Sequence, residues 1–262
     1  MASAPAAQNL PLFYKDLIPL NSNEHGDWKS KPLESANFMV GQHAIPLTVE
    51  EFVSASRHYP IIFSDSENPV PLALMGMNEG VNTFMDDDGK FTSAVYVPAY
   101  VRRYPFLLAK LQPESEELSL CFDPTAGALG EFKKDKDTTP LFDDAKPSEH
   151  TQAVLKFCEN FEEAGARTQN FMDELVKSGL LMDGEVSIQQ ENAENPFVYR
   201  GFKMIDEEKL RELRGDELRK MNQNGMLPLI HAHLFSLQLM REIFAQQVQQ
   251  GKMPQVTQLP TN

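Results

Sequence analysis

The residue types in this chain that can do chemistry are few. The most suggestive group is Arg102-Arg103-Tyr104-Pro105, with Tyr100 just before it. Arginine presents a planar fork of N–H donors that grips a carboxylate or phosphate through two bonds at once. Two readings follow: an internal ion pair to one of the chain's many acids, or a site for an anion or a peptide carboxylate. His231 and His233 form a His-x-His pair. On a helix, side chains two apart point about 200° away from each other and do not share one ion. His233 is then either a hydrogen-bonded core histidine or a ligand-facing group at the base of a pocket. Asp86-Asp87-Asp88-Gly89 suggests calcium, but Phe84 and Val95 fall where an EF-hand needs carboxylates, so a tight turn is expected instead. Cys121 and Cys158 form no Cys-x-x-Cys pair; two reduced core thiols are expected, with a single disulfide as the alternative. No Gly-x-Ser-x-Gly, Gly-x-Gly-x-x-Gly, Walker A or His-Glu-x-x-His pattern is present. The candidate ligand-binding residues are Tyr100, Arg102, Arg103, Tyr104 and His233, with no catalytic set, no metal and no cofactor expected.

Composition narrows the classes further. The chain has 262 residues, 24 Lys+Arg against 38 Asp+Glu, and a net charge of −14. That field repels phosphate, so no nucleic-acid partner is expected. Two cysteines exclude a disulfide scaffold, and 14 Gly with 18 Pro exclude a collagen-like chain. With 41% hydrophobic residues, the chain can fill a core. Residues 1–9 show neither a basic nor an apolar leader region, and no stretch reaches the roughly 18 apolar residues of a membrane span. The richest apolar segment, Met226 to Phe244, is interrupted by His231, His233, Ser236, Gln238, Arg241 and Glu242. A cytoplasmic protein without membrane insertion is expected, the alternative being the cell surface by a non-Sec route.

The elements that must position these residues read as strands first and helices afterwards. Ile61-Ile62-Phe63, Val70 to Gly76 and Leu118 to Phe122 read as strands, and Val81 to Met85 with Phe91 to Val97 as a hairpin about the Asp-Gly turn. Thr48 with Glu51 forms a capping box, and Val101 to Leu111 reads as a short helix. From Ser148 the helical period runs about six turns, with Gly179 as its stop. Asp206 caps a second helix ending at Asn224-Gly225, and a third begins near Pro228 with Ile230, His233, Leu237, Met240 and Phe244 on one face. The expected fold is α+β, an antiparallel β-rich N-terminal half packed against long C-terminal helices. One domain over residues 10–250 is expected, with flexible tails at 1–9 and 251–262. Glu131 to Pro147 reads as either an exposed crossing loop or a boundary.

The ordered set of these motifs resembles the SapC family of bacterial proteins. The resemblance is carried by Tyr59-Pro60-Ile61-Ile62-Phe63, Pro71-Leu72-Ala73-Leu74-Met75-Gly76 and Asn82-Thr83-Phe84-Met85-Asp86 with Asp88-Gly89. It continues through Tyr96 to Phe106, Leu120-Cys121-Phe122-Asp123, Arg167-Thr168 and Ala232 to Leu237. The resemblance implies a link to bacterial surface-layer biology, or to systems that carry TonB-dependent receptors, flavin-dependent halogenases and cupin-like proteins. It names no reaction. Two classes of function follow: a non-enzymatic binding or accessory protein that holds a protein or peptide partner, or an enzyme with a non-standard site around His233, Arg102 and Arg103. Oligomeric state is not encoded in these patterns.

Overall fold

The computed structural model describes residues 10–112, 117–133, 135–189 and 195–253. The tails expected at 1–9 and 251–262 lie outside the described residues, apart from Gly251 to Met253. The fold is α+β, and every strand pairing among the described residues is antiparallel. No helix among them is long and apolar enough to cross a membrane. The chain forms two compact units, one within Met1–Ser35 and Arg102–Glu162, the other within Ala36–Val101 and Glu163–Asn262.

In the first unit, Phe106–Lys110 pairs with Leu118–Phe122, which pairs in turn with Ile18–Pro19. The helix expected over Val101 to Leu111 is therefore corrected: a single turn, Ala99–Arg102, is followed by a strand. The physical cause is Pro105, which disfavours helix in the residue before it and has no N–H to continue one. Lys29–Ser30 lies between Leu129–Gly130 and Thr139–Pro140. The segment 131–147 thus belongs to this unit, and its described residues carry three short strands: Thr139–Pro140, which pairs with Lys29–Ser30, and Phe142–Asp143, which pairs with Lys146–Pro147. The core gathers Phe106, Leu108, Phe122, Leu129, Leu141 and Cys158, with Trp28 packed against it. Both thiols are free and buried.

The long helix runs Glu149–Ser178. Its start is fastened by side chains: the Thr151 N–H donates to Ser148 Oγ at 3.2 Å, Ser148 Oγ donates to the Pro140 carbonyl at 2.7 Å, and Thr151 Oγ1 donates to the Leu141 carbonyl at 2.7 Å. Gly179, at φ +69°, ends it. Its residues up to Glu162 belong to the first unit and those after to the second.

The second unit is built on a five-stranded sheet in the order Leu181–Asp183, Phe202–Ile205, Ile61–Ser64, Pro71–Leu74, Ala44–Pro46. Two of these strands come from late in the chain, where the sequence reading had only helices. The hairpin expected between Val81 and Val97 reduces to one bridge, Met85 with Phe91. Its turn forms as expected, with Asp86 Oδ1 accepting from the Asp88 and Lys90 N–H groups. Its ladder does not form because the flanks are bonded elsewhere. Thr83 donates both N–H and hydroxyl to the Met75 carbonyl, and Tyr96 donates its hydroxyl to Glu51 and accepts from Tyr59. Asp206 caps Glu207–Arg211 by accepting from the Glu208 and Lys209 N–H groups. The expected third helix is two helices, Met226–Ser236 and Met240–Gln249, joined by a tighter turn, Leu237–Leu239.

Candidate functional site

The first unit holds a cavity of about 430 Å³. Its floor is made of buried groups, Arg103, Phe106, Ala128 and Cys158, and its rim of exposed ones, Pro32, Leu33 and Arg102. One wall is the first turns of the long helix. His150, Ala153, Val154, Phe157 and Cys158 line it, and their spacing of three and four residues is that of a single helix face. The opposite wall is the segment Arg102 to Phe106, brought there by the turn at Tyr104-Pro105 that starts the strand Phe106–Lys110.

The arginine pair is held by aromatic rings. The Arg103 guanidinium carbon lies 4.3 Å from the Phe161 ring centroid and 5.9 Å from that of Tyr14. Arg102 lies over Phe157 at 5.3 Å. Such stacking holds a guanidinium by its face, in the plane-on geometry that arginine favours against an aromatic ring. Arg103 also meets Glu162 at 3.5 Å, so the internal ion pair foreseen for the arginines is formed at Arg103. Glu162 is 44% exposed, which makes this a weak pair. Burial pushes the Glu162 carboxyl up, against the pull of Arg103.

Tyr104 packs against two aromatic rings, the Phe13 ring lying edge-on at 6.1 Å. Its ring meets Tyr14 edge-on at 5.2 Å, and Tyr14 donates its hydroxyl to the Phe106 carbonyl at 2.6 Å. Burial, then the neighbouring Asp123 carboxylate, push the Tyr104 phenol up to about 12. Burial likewise pushes the Cys158 thiol up to about 11. Both groups are neutral at physiological pH. The charges facing the cavity are therefore those of Lys31, Arg102 and Arg103, with the His150 imidazole beside them in the lining, and no carboxylate stands among the described residues that line it.

Three of the five sequence-derived candidates, Arg102, Arg103 and Tyr104, line this one cavity, while Tyr100 and His233 belong to the second unit and do not. His233 is fully buried. Its Nδ1–H donates to the Ile61 carbonyl at 2.7 Å, and its Nε2 accepts from the Ile205 N–H at 3.1 Å. The two bonds join adjacent strands of the five-stranded sheet, and Ser236 Oγ completes the clamp by accepting from the Ile61 N–H at 2.8 Å. Burial lowers the His233 pKa to about 4, against the raising effect of the Ile61 carbonyl. His231 points elsewhere and stacks on Phe235 at 5.7 Å. Sequence reasoning missed His150. Its signal was its place two residues past the Ser148 cap, in register with Val154 and Phe157.

The family model described as SapC matches residues 20–243. The chain belongs to the SapC family. No curated protein and no solved structure matches this SapC-family chain. The matched span contains the whole cavity lining, Ser30 to Cys158.

Proposed function

We propose that this SapC-family protein is a non-enzymatic binding or accessory protein, and that Arg102, Arg103 and Tyr104 hold an anionic group of a protein or peptide partner in the first unit's cavity. The observation that carries the reading is the charge of the lining. In a chain of net charge −14, three cationic side chains, a histidine and no carboxylate among the described residues face this one space. Aromatic rings and arginine are also the types that dominate binding hot spots. The family membership supports a role beside a bacterial surface-layer or TonB-receptor and halogenase-associated system. An enzyme built on His233 finds less support, because both ring nitrogens are spent on backbone groups.

The test is co-purification of tagged protein from the native host, with mass spectrometry of what is retained. Arg102→Glu reverses charge at an exposed position and leaves the core intact. A partner retained by the native chain is expected to be lost from this variant. Undiminished retention would show that the arginine cavity is not the binding site.

A further inference from the structure

The cavity's lining describes its ligand more closely than charge alone. Resting on the reading that this cavity binds a partner, we propose that what it takes is a carboxylate carried on an apolar, ring-sized body, and that His150 is a further residue that recognises it. A carboxylate of this kind has two sources, a free aromatic or aliphatic acid and the C-terminal residue of a peptide.

Three observations support this. First, the volume of about 430 Å³ lies in the lower part of the roughly 300–1,000 Å³ range of small-ligand sites. It admits one ring-bearing group with its headgroup. Second, the walls are apolar at Leu33, Phe106, Val154 and Phe157, so a bare inorganic anion would leave them wet. Third, His150 Nε2 is buried and meets no hydrogen-bond partner among the described residues. A buried polar atom without a partner is a standing cost that a ligand oxygen would remove. When it carries the hydrogen, Nε2 donates to that oxygen. His150 sits on the same helix face as Val154 and Phe157, and Arg102 lies over Phe157. The anion, the apolar body and the histidine bond thus all have partners around the one cavity.

The experiment is calorimetric titration of the full chain with 3-phenylpropionate, 3-phenylpropionamide, the tripeptide Gly-Gly-Phe with a free C-terminus, its C-terminal amide, and inorganic phosphate. Both acids are expected to bind, to displace one another, and to exceed their amides by roughly tenfold or more, the worth of a charge-assisted bond. The tighter of the two acids names the source. His150→Phe, which keeps a ring and removes the nitrogen, is expected to weaken the acids by roughly tenfold. His150→Gln, which restores a donor near Nε2, is expected to recover part of that loss. Thermal unfolding of each variant confirms an unchanged fold. Amides binding as tightly as acids, phosphate binding more tightly than 3-phenylpropionate, or saturation by no probe would overturn the ligand class. Equal affinity in His150→Phe and the native chain would overturn the role of His150. If Arg102→Glu still loses its partner while no probe binds, the ligand class is wrong and the cavity reading stands. A partner kept by Arg102→Glu defeats the cavity reading instead.

Discussion

Lowering the pH should unfasten the five-stranded sheet at His233. In the folded chain this imidazole holds a proton on Nδ1, which donates to the Ile61 carbonyl, and offers Nε2 to the Ile205 N–H. A second proton would land on Nε2 and turn an acceptor toward a donor, in a fully buried site. Burial therefore lowers its pKa from 6.5 to about 4. The unfolded chain takes up that proton near 6.5, so between 6.5 and about 4 the unfolded state binds more protons. Stability then falls as pH falls across that window, is flat above it, and levels below it. Converted at about 1.4 kcal/mol per pH unit, the gap between 6.5 and about 4 is worth about 3 kcal/mol. Two measurements check this. Imidazole carbon and proton shifts followed by NMR should give His233 a midpoint near 4. Chemical denaturation at pH 7.5, 6 and 5 should show the native chain losing more stability than His233→Gln, in which the other titrating groups cancel, with an excess of about 1 kcal/mol between pH 6 and 5 and less per pH unit between 7.5 and 6. A midpoint at 6 or above, or equal slopes, would refute the clamp. A low midpoint is no sign of catalysis here, because burial alone accounts for it.

Glu51 is buried and accepts from the Thr48 N–H and hydroxyl, from Tyr96 Oη at 3.0 Å and from the Ala99 N–H at 2.6 Å. Glu51→Gln turns a donor against these donors and should cost about 2–4 kcal/mol by chemical denaturation; a loss under about 1 kcal/mol would contradict the network. Gly165 lies inside the long helix with open space where a Cβ would go, so Gly165→Ala should raise stability by about 0.5–1 kcal/mol. Gly76→Ala should be strongly destabilising, because its Cβ would overlap the Val81 carbonyl oxygen, which is backbone and does not swing away; similar melting temperatures for the two variants would sink the contrast. Cys121 and Cys158 are both buried, with thiols pushed above their ordinary value by burial, so neither should react with a disulfide reagent at pH 8 until denaturant is added.

Local patterns were legible where the structure satisfies them locally. Thr48 and Glu51 cap as their spacing says, Asp206 accepts from the two N–H groups beyond it, and the period after Ser148 runs to Gly179. The failures occur where a residue's partner is far along the chain. Residues 81–85 and 91–97 look like a hairpin by type, but Met75, Glu51 and Tyr59 take their hydrogen bonds. The strands Leu181–Asp183 and Phe202–Ile205 were missed because each is short and interrupted by charge. The run Phe197 to Ile205, rich in aromatic residues and broken by Gly201 at φ +87°, carried the signal. The one sheet they complete also holds Ile61–Ser64, well over a hundred residues earlier, and no window of sequence displays that pairing.

The candidate site was legible in residue type and not in residue employment. Buried polar groups of the second unit are engaged in holding its backbone. Thr168 Oγ1 donates to Ala164 and accepts from Val49, Ser236 Oγ donates to His233 and accepts from Ile61, and Gln247 accepts from Met77 while donating to Asn78. A group so engaged is poorly placed to serve as base or nucleophile, since chemistry would remove a bond that the fold needs. The contrast is His150 in the first unit, whose Nε2 has no partner among the described residues and whose ring lines the same cavity as Arg102 and Arg103. His233 and His150 are the same residue type, both in helices, and the sequence singled out the former for its apolar neighbours. Those neighbours are what commit it to the sheet. His150, lining the same cavity as Arg102, keeps a bond to give, and a bond to give without an engaged base nearby is the condition for holding a ligand more than for transforming it.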